Sequence, residues 1–236
     1  MKDNSTLINF IIKELEGRQD PKRKAMSATY YPSKQKIFGV TTPDERVVLK
    51  RLKPKIIDFS PREKIEFAIE LVNQNIFECQ HIAYELIRRE KKTREAVTKV
   101  DFRKLAKNLD NWVSVDTFSV YIGGYLWQNN VLSDEEIMQW TQSENRWERR
   151  MALVFTVGLN QKSQGGKGDP ARTMMICEAL ASDRDDMVVK ALSWALREYS
   201  KRDKETVWRF IDQKQEVLHK KILREVKNKL IKGTKN

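Results

Sequence analysis

Trp112 and Asp116 stand four residues apart in "NWVSVD", and Arg150 follows in "NRWERRMAL". Four residues is about one turn of α-helix, so the indole and the carboxylate project from the same face. An acid beside an aromatic ring in a basic groove suits one kind of chemistry, the steadying of positive charge on a sugar of DNA. When the bond from a deoxyribose to its base breaks, a carboxylate near the anomeric carbon can stabilise the charge that builds there and orient a water. An indole face adds cation–π attraction, worth about 0.5–2 kcal/mol. Trp194, seven residues beyond Met187, offers a second indole from a similar helical face. No acid is obviously placed to protonate a departing neutral base, which points to a base that already carries positive charge. A plainer reading stands beside each assignment. Asp116 could pair with Arg150 one repeat away, Trp112 and Trp194 could be packing between repeats, and Trp147 is expected in the core.

The elements that would carry these residues are helices. Apolar residues recur at three and four, as in Leu7, Phe10, Ile11 and Leu15, and no strand-like alternation persists. Placing Phe77, Trp112, Trp147 and Met187 at one repeat position gives intervals of 35, 35 and 40 residues, a two-helix solenoid period. The fold expected is all-α, a curved solenoid of antiparallel helix pairs of the HEAT-like or ARM-like kind with about a dozen helices, forming one domain over 1–236. Helix starts are expected at Thr42 with Pro43, Ser60 with Pro61, Ser133, and Asp169 with Pro170. The stretch "QKSQGGKGDP", 161–170, reads as a flexible loop. Its Gly165, Gly166, Lys167 and Gly168 are not a phosphate loop, because Gly follows the Lys and no strand precedes it. An amphipathic basic helix over about 217–232 is expected to cap the stack.

Composition narrows the partner. Lys and Arg number 45 against 33 Asp and Glu, a formal net charge of +12, which favours a polyanion. Cys79 and Cys177 each lie in an apolar helical stretch, as expected of buried thiols in a reducing interior. With only His81 and His219 as histidines, no metal-ligand spacing arises, and no cofactor or metal is expected. The apolar run from Leu7 to Ile12 is too short and too interrupted for a signal peptide or membrane span, so a cytoplasmic, nucleoid-associated monomer is expected.

Several segments resemble a known family. "TPDER" after Gly39, "NWVSVD", "NRWERRMALVF" and "VKALSWALREYSKRDKETVW" are similar to the corresponding stretches of the bacterial AlkD-type DNA alkylation repair proteins, the HEAT-like-repeat DNA glycosylases, and the likeness runs over nearly the whole chain. It implies that Asp116 is the catalytic aspartate, Trp112 and Trp194 the sugar-contacting tryptophans, and Arg150 the DNA-gripping arginine. Tyr30 falls on an aromatic near the N-terminal end of the groove, with Tyr31 next to it as an alternative. Arg149, Lys190, Arg197 and Thr42 complete the expected DNA contacts. It further implies excision of N3- or N7-alkylated purines from duplex DNA without a base-flipping pocket. The chain departs from the family pattern at Asn111 and Val113, at Gly158 where a basic residue is usual, and in the glycine loop. Two other classes remain: a noncatalytic binder of unusual DNA structures on the same scaffold, and a solenoid that docks a protein.

Overall fold

The computed structural model describes residues 4–236. Among these the fold is all-α, and the only β-type pairing is an isolated parallel bridge between Lys36 and Ile76. The chain forms two compact units, Met1–Phe118 and Ser119–Asn236.

The first unit contains α1 (Ser5–Glu16), α2 (Pro21–Tyr30), α3 (Thr42–Leu52), α4 (Pro61–Asn73), α5 (Phe77–Arg89), α6 (Lys91–Glu95), α7 (Lys99–Leu105) and α8 (Trp112–Phe118). Helix α5 is its centre and packs against α1, α3, α4, α6 and α8. Cys79, Ile82, Ala83, Tyr84 and Ile87 of α5 are buried, and the Tyr84 hydroxyl donates to the Leu105 carbonyl at 2.9 Å. Phe118 at the end of α8 inserts its ring beside Tyr84 and Phe102, with centroids 5.2 and 5.1 Å away.

The second unit opens with a π-helical turn, Ser119–Gly123, followed by α9 (Gly124–Gln128), α10 (Asp134–Thr141), α11 (Arg146–Asn160), α12 (Pro170–Ala179), α13 (Asp186–Tyr199), α14 (Lys204–Gln213) and α15 (Lys220–Lys232). Every residue of α11 from Arg150 to Asn160 is buried, because α9, α10, α12 and α13 all pack on it. Gly124 of α9 and Gly158 of α11 come close together. A Cβ on Gly158 would lie 3.1 Å from the Gly124 Cα, a tight contact at the position where the resemblance leads one to expect a basic residue. Helix α15 lays Ile222, Val226 and Leu230 inward against this unit, in contact with α13 and α14.

Hydroxyl and carboxylate caps set the helix starts. Ser60, Ser133 and Asp169 cap α4, α10 and α12 as their sequences suggest, the first two in full capping boxes. The start of α3 differs by one residue. Thr41, extended at φ −76° and ψ 152°, accepts the Asp44 N–H, and Thr42 is the exposed first residue of the helix. Pro43 cannot distinguish the two registers, since proline is tolerated throughout the first turn. The four residues aligned at the repeat position each open a helix: Phe77 and Trp112 are the first residues of α5 and α8, and Trp147 and Met187 the second of α11 and α13. Trp147, expected in the core, is partly exposed, because α11 becomes fully buried only from Arg150 onward.

The 161–170 loop carries hydrogen bonds of its own. The Arg202 guanidinium donates to the carbonyls of Asn160 and Gly166 at 2.9 and 2.7 Å, and Gln128 bonds Gly165 and Lys167. Both cysteines are buried and unpaired in a disulfide, and burial pushes both thiols well up from their ordinary pKa.

One ion pair, between a buried carboxylate and an exposed guanidinium, makes stability pH-dependent. Asp101 is 2 % exposed and accepts two Arg62 guanidinium bonds of 2.7 Å each, with Thr98 as a further donor. Burial raises its pKa, but these bonds outweigh burial and bring it from 3.8 to about 2. A carboxylate with a lowered folded pKa stabilises the fold above its unfolded value and loses that contribution as pH falls through the folded one. The melting temperature is therefore expected to drop between about pH 4 and pH 2, and to drop less in Asp101→Asn. Equal slopes for the two proteins in a melting series over that range would remove Asp101 as the cause.

Candidate active site

Helix α8 holds the first two candidates. Its residues divide cleanly: Trp112, Val113, Asp116 and Thr117 are partly exposed, whereas Ser114, Val115 and Phe118 are buried. Trp112 and Asp116 thus share the solvent-facing side of one short helix, as their spacing predicts. The helix start is fixed by Asn111, whose Oδ1 accepts the Ser114 N–H at 3.0 Å while its Nδ2 donates to the Ser114 hydroxyl at 3.2 Å. Asn111 is 1 % exposed, so the departure from the family pattern at this position is a buried cap.

The Trp112 indole is oriented by its neighbours. Its Nε1–H donates to the Tyr30 carbonyl at 3.0 Å. The Tyr30 and Tyr31 rings meet it nearly at right angles, with centroids 5.4 and 6.5 Å away. Perpendicular arrangements of this kind match the quadrupoles of the rings. Tyr30 is 65 % exposed and Tyr31 is not, because Tyr31 stacks on Phe77 at 5.0 Å. Phe77 in turn touches His81, whose Nδ1 lies 3.7 Å from a carboxylate oxygen of Glu45. Burial raises the Tyr31 hydroxyl's pKa, opposed by its hydrogen bond to Ser27 and by the Arg23 charge and reinforced by Glu78 and Glu45. Both tyrosines therefore belong to this wall, Tyr30 as its exposed rim and Tyr31 as its support. Thr42 lies apart at the exposed start of α3.

The second unit carries the remaining candidates on α11 and α13. Between residues 187 and 200, only Met187, Lys190, Trp194 and Arg197 escape burial. Their spacing of three, four and three puts a cation, an indole and a guanidinium in one stripe along α13. Lys190 forms an ion pair of 2.6 Å with Asp186 but remains 44 % exposed at its side chain. Arg197 is more enclosed: burial lowers its pKa, Glu225 and Glu198 oppose that, and its Nε donates to the Ser193 hydroxyl at 3.2 Å.

Two of the three arginines of α11, Arg149 and Arg150, are candidates, and both are engaged within their own unit. Arg149 pairs with Asp183 at 2.7 Å and donates to the carbonyls of Ser143 and Glu144. Arg150 is 5 % exposed and donates from Nη1 to the Met187 carbonyl at 2.5 Å, joining α11 to the first turn of α13. Helical spacing anticipated the exposed stripe, whereas the resemblance gave these two arginines to DNA, and of them Arg149 is partly exposed and Arg150 buried.

Sequence reading also passed over Asp110. Its Oδ1 accepts the Ser33 hydroxyl and its Oδ2 the Lys34 N–H, both at 2.6 Å. The only available signal was the pair "DN" ahead of a helix start. Among the described residues, no group of three or more His, Cys, Asp and Glu side chains could hold a metal ion. None of their helices is long and apolar enough to cross a membrane.

The sequence-family model of the DNA alkylation repair enzymes matches residues 11–230. The chain belongs to this family. Among solved structures, this DNA alkylation repair family member is similar to a predicted DNA alkylation repair enzyme from Enterococcus faecalis, with a TM-score of 0.68 and 18% sequence identity over 91% of this chain and 98% of that one. At that identity the likeness shows a shared all-α fold. No curated protein matches the sequence of this family member. Membership supports a role in DNA repair and DNA as a partner, and it agrees with a net charge of +12.

Proposed function

We propose that the protein is a DNA glycosylase that hydrolyses the N-glycosidic bond of cationic N3- and N7-alkylpurines in duplex DNA. The observation that carries this reading is the exposed face of α8, where an oriented indole and a carboxylate lie one helical turn apart. As the bond from C1′ to the base nitrogen breaks, its electron pair goes to the base and neutralises the base's positive charge. The positive charge passes to the sugar. Asp116 stabilises it and orients the water whose oxygen adds to C1′, leaving an abasic site and releasing a proton. Trp112 offers an indole face to the same charge, and family likeness gives Trp194 the corresponding second role.

In this proposal the protein holds the duplex by its backbone, with the target base left in the base stack rather than extruded. Lys190 and Arg197 contact phosphates, aided by Arg149, Arg150, Tyr30 and Thr42. Lys190 is the most accessible of the cations, at 44 % side-chain exposure, and Arg150 acts mainly by holding α11 to α13.

Because the leaving base is already cationic, no general acid is required. The expected result is rapid release of 3-methyladenine and 7-methylguanine from methylated duplex, with release of uracil or hypoxanthine slower by at least about 10²-fold, the scale of a missing general acid. Chromatography of the free bases reads this directly. Equal release of uracil and 7-methylguanine would overturn the selectivity, and duplex binding without any release would leave only a noncatalytic DNA-binding role.

A further inference from the structure

Asp110 touches neither the exposed face of α8 nor the repeat pattern, yet it joins two segments on which the Trp112 side chain depends. Its two carboxylate oxygens grip opposite sides of one turn, Oδ1 accepting the Ser33 hydroxyl and Oδ2 the Lys34 N–H, each at 2.6 Å. Oδ1 also accepts from Asn111 Nδ2 at 3.2 Å, and Asn111 is the cap of α8. The Ser33 hydroxyl accepts in turn from the Gln35 N–H at 3.1 Å. A continuous chain of hydrogen bonds therefore runs from the segment following α2 to the first turn of α8. Three residues upstream of Ser33, the Tyr30 carbonyl holds the Trp112 indole N–H at 3.0 Å.

We propose that Asp110 is a positioning residue: by fastening the Ser33–Lys34 turn to the cap of α8, it keeps the Tyr30 carbonyl on the Trp112 indole and so fixes the direction in which that ring faces. Without the fastening, the indole N–H loses its fixed acceptor and the ring rests against Tyr30, itself largely exposed, and Tyr31. Charged acceptors form the stronger hydrogen bonds, which explains a carboxylate here rather than an amide. Asn111 cannot replace it, because its oxygen already holds the Ser114 N–H. The catalytic consequence rests on the glycosylase reading, since a ring displaced by about 1 Å can cost about 10²-fold in rate. The structural consequence is independent of that reading.

The test uses the full chain. Proton–nitrogen spectra resolve the indole N–H signals of the six tryptophans, and Trp112→Phe identifies the one from Trp112. In Asp110→Ala, that signal is expected to shift and its exchange with solvent to accelerate by about tenfold, the loss of roughly one hydrogen bond. Unshifted amide signals of α5 report that the first unit remains folded, and the Trp127 indole, bonded to Asp134 at 2.7 Å, reports the same for the second. Ser33→Ala removes a single hydroxyl and gives a smaller shift of the same signal if Asp110→Ala does not fold. An unchanged Trp112 indole in either folded variant overturns the proposal. With methylated duplex, Asp110→Ala is expected to lose about tenfold in single-turnover release while binding abasic duplex within about threefold of the parent. A shifted indole in a protein whose parent releases no alkylpurine would support the positioning role and sink the glycosylase reading alone.

Discussion

Replacing Asp116 by Asn is expected to cut single-turnover release of 7-methylguanine by about 10²–10³-fold, the usual scale for removing a preorganised group aimed at developing charge. Asparagine keeps the size and some of the hydrogen bonding of aspartate but not its charge, so the fold and the wall around Trp112 are expected to survive. Affinity for abasic duplex should change by no more than about threefold, because the charge of Asp116 is used chiefly after bond breaking begins. Release and binding therefore separate in this variant. Release within about twofold of the parent would show that Asp116 does not stabilise the sugar, and the exposed face of α8 would lose its proposed role.

Replacing Glu78 by Ala is expected to destabilise the first unit by about 3 kcal/mol or more. Glu78 is 1 % exposed, and its carboxylate accepts the successive backbone N–H groups of Phe38, Gly39 and Val40 at 3.1, 2.7 and 3.2 Å. Burial raises its pKa, and these three bonds oppose the rise. Alanine would leave three buried donors without their acceptor, each worth about 1–3 kcal/mol when unsatisfied. The segment has little freedom to find another arrangement. Gly39 sits at φ +81°, and a Cβ there would lie 2.6 Å from the Lys24 backbone nitrogen. Hydrogen exchange of the 38–40 amides and the melting temperature read the effect, and a loss below about 1 kcal/mol would show that water or another group takes over from the carboxylate.

Local spacing made much of this molecule legible. Ser60, Ser133 and Asp169 announced their helices because a capping side chain acts within three residues of itself. The alternation of exposed and buried positions on α8 and α13 follows from the helical period, which is why Trp112, Asp116, Lys190 and Trp194 were found on exposed faces. Contacts made across the chain were not legible. Asp110 and Ser33 are 77 residues apart, and nothing near either indicates the other. Arg150 looks like a surface cation in "RWERRMAL", and only the packing of α11 reveals that it is buried and donates to the Met187 carbonyl. Glu78 likewise looks like an ordinary first-turn acid of α5. Its role as acceptor for a loop some forty residues earlier depends on how that loop returns.

The burial of Cys79 and Cys177 bears on survival in the setting this repair family implies. Electrophiles that damage DNA attack thiolates first, since ionised sulfur is the strongest nucleophile most proteins expose. With both sulfhydryls enclosed and held protonated, neither offers such a target, so the two thiols can survive among the reagents that create damaged bases.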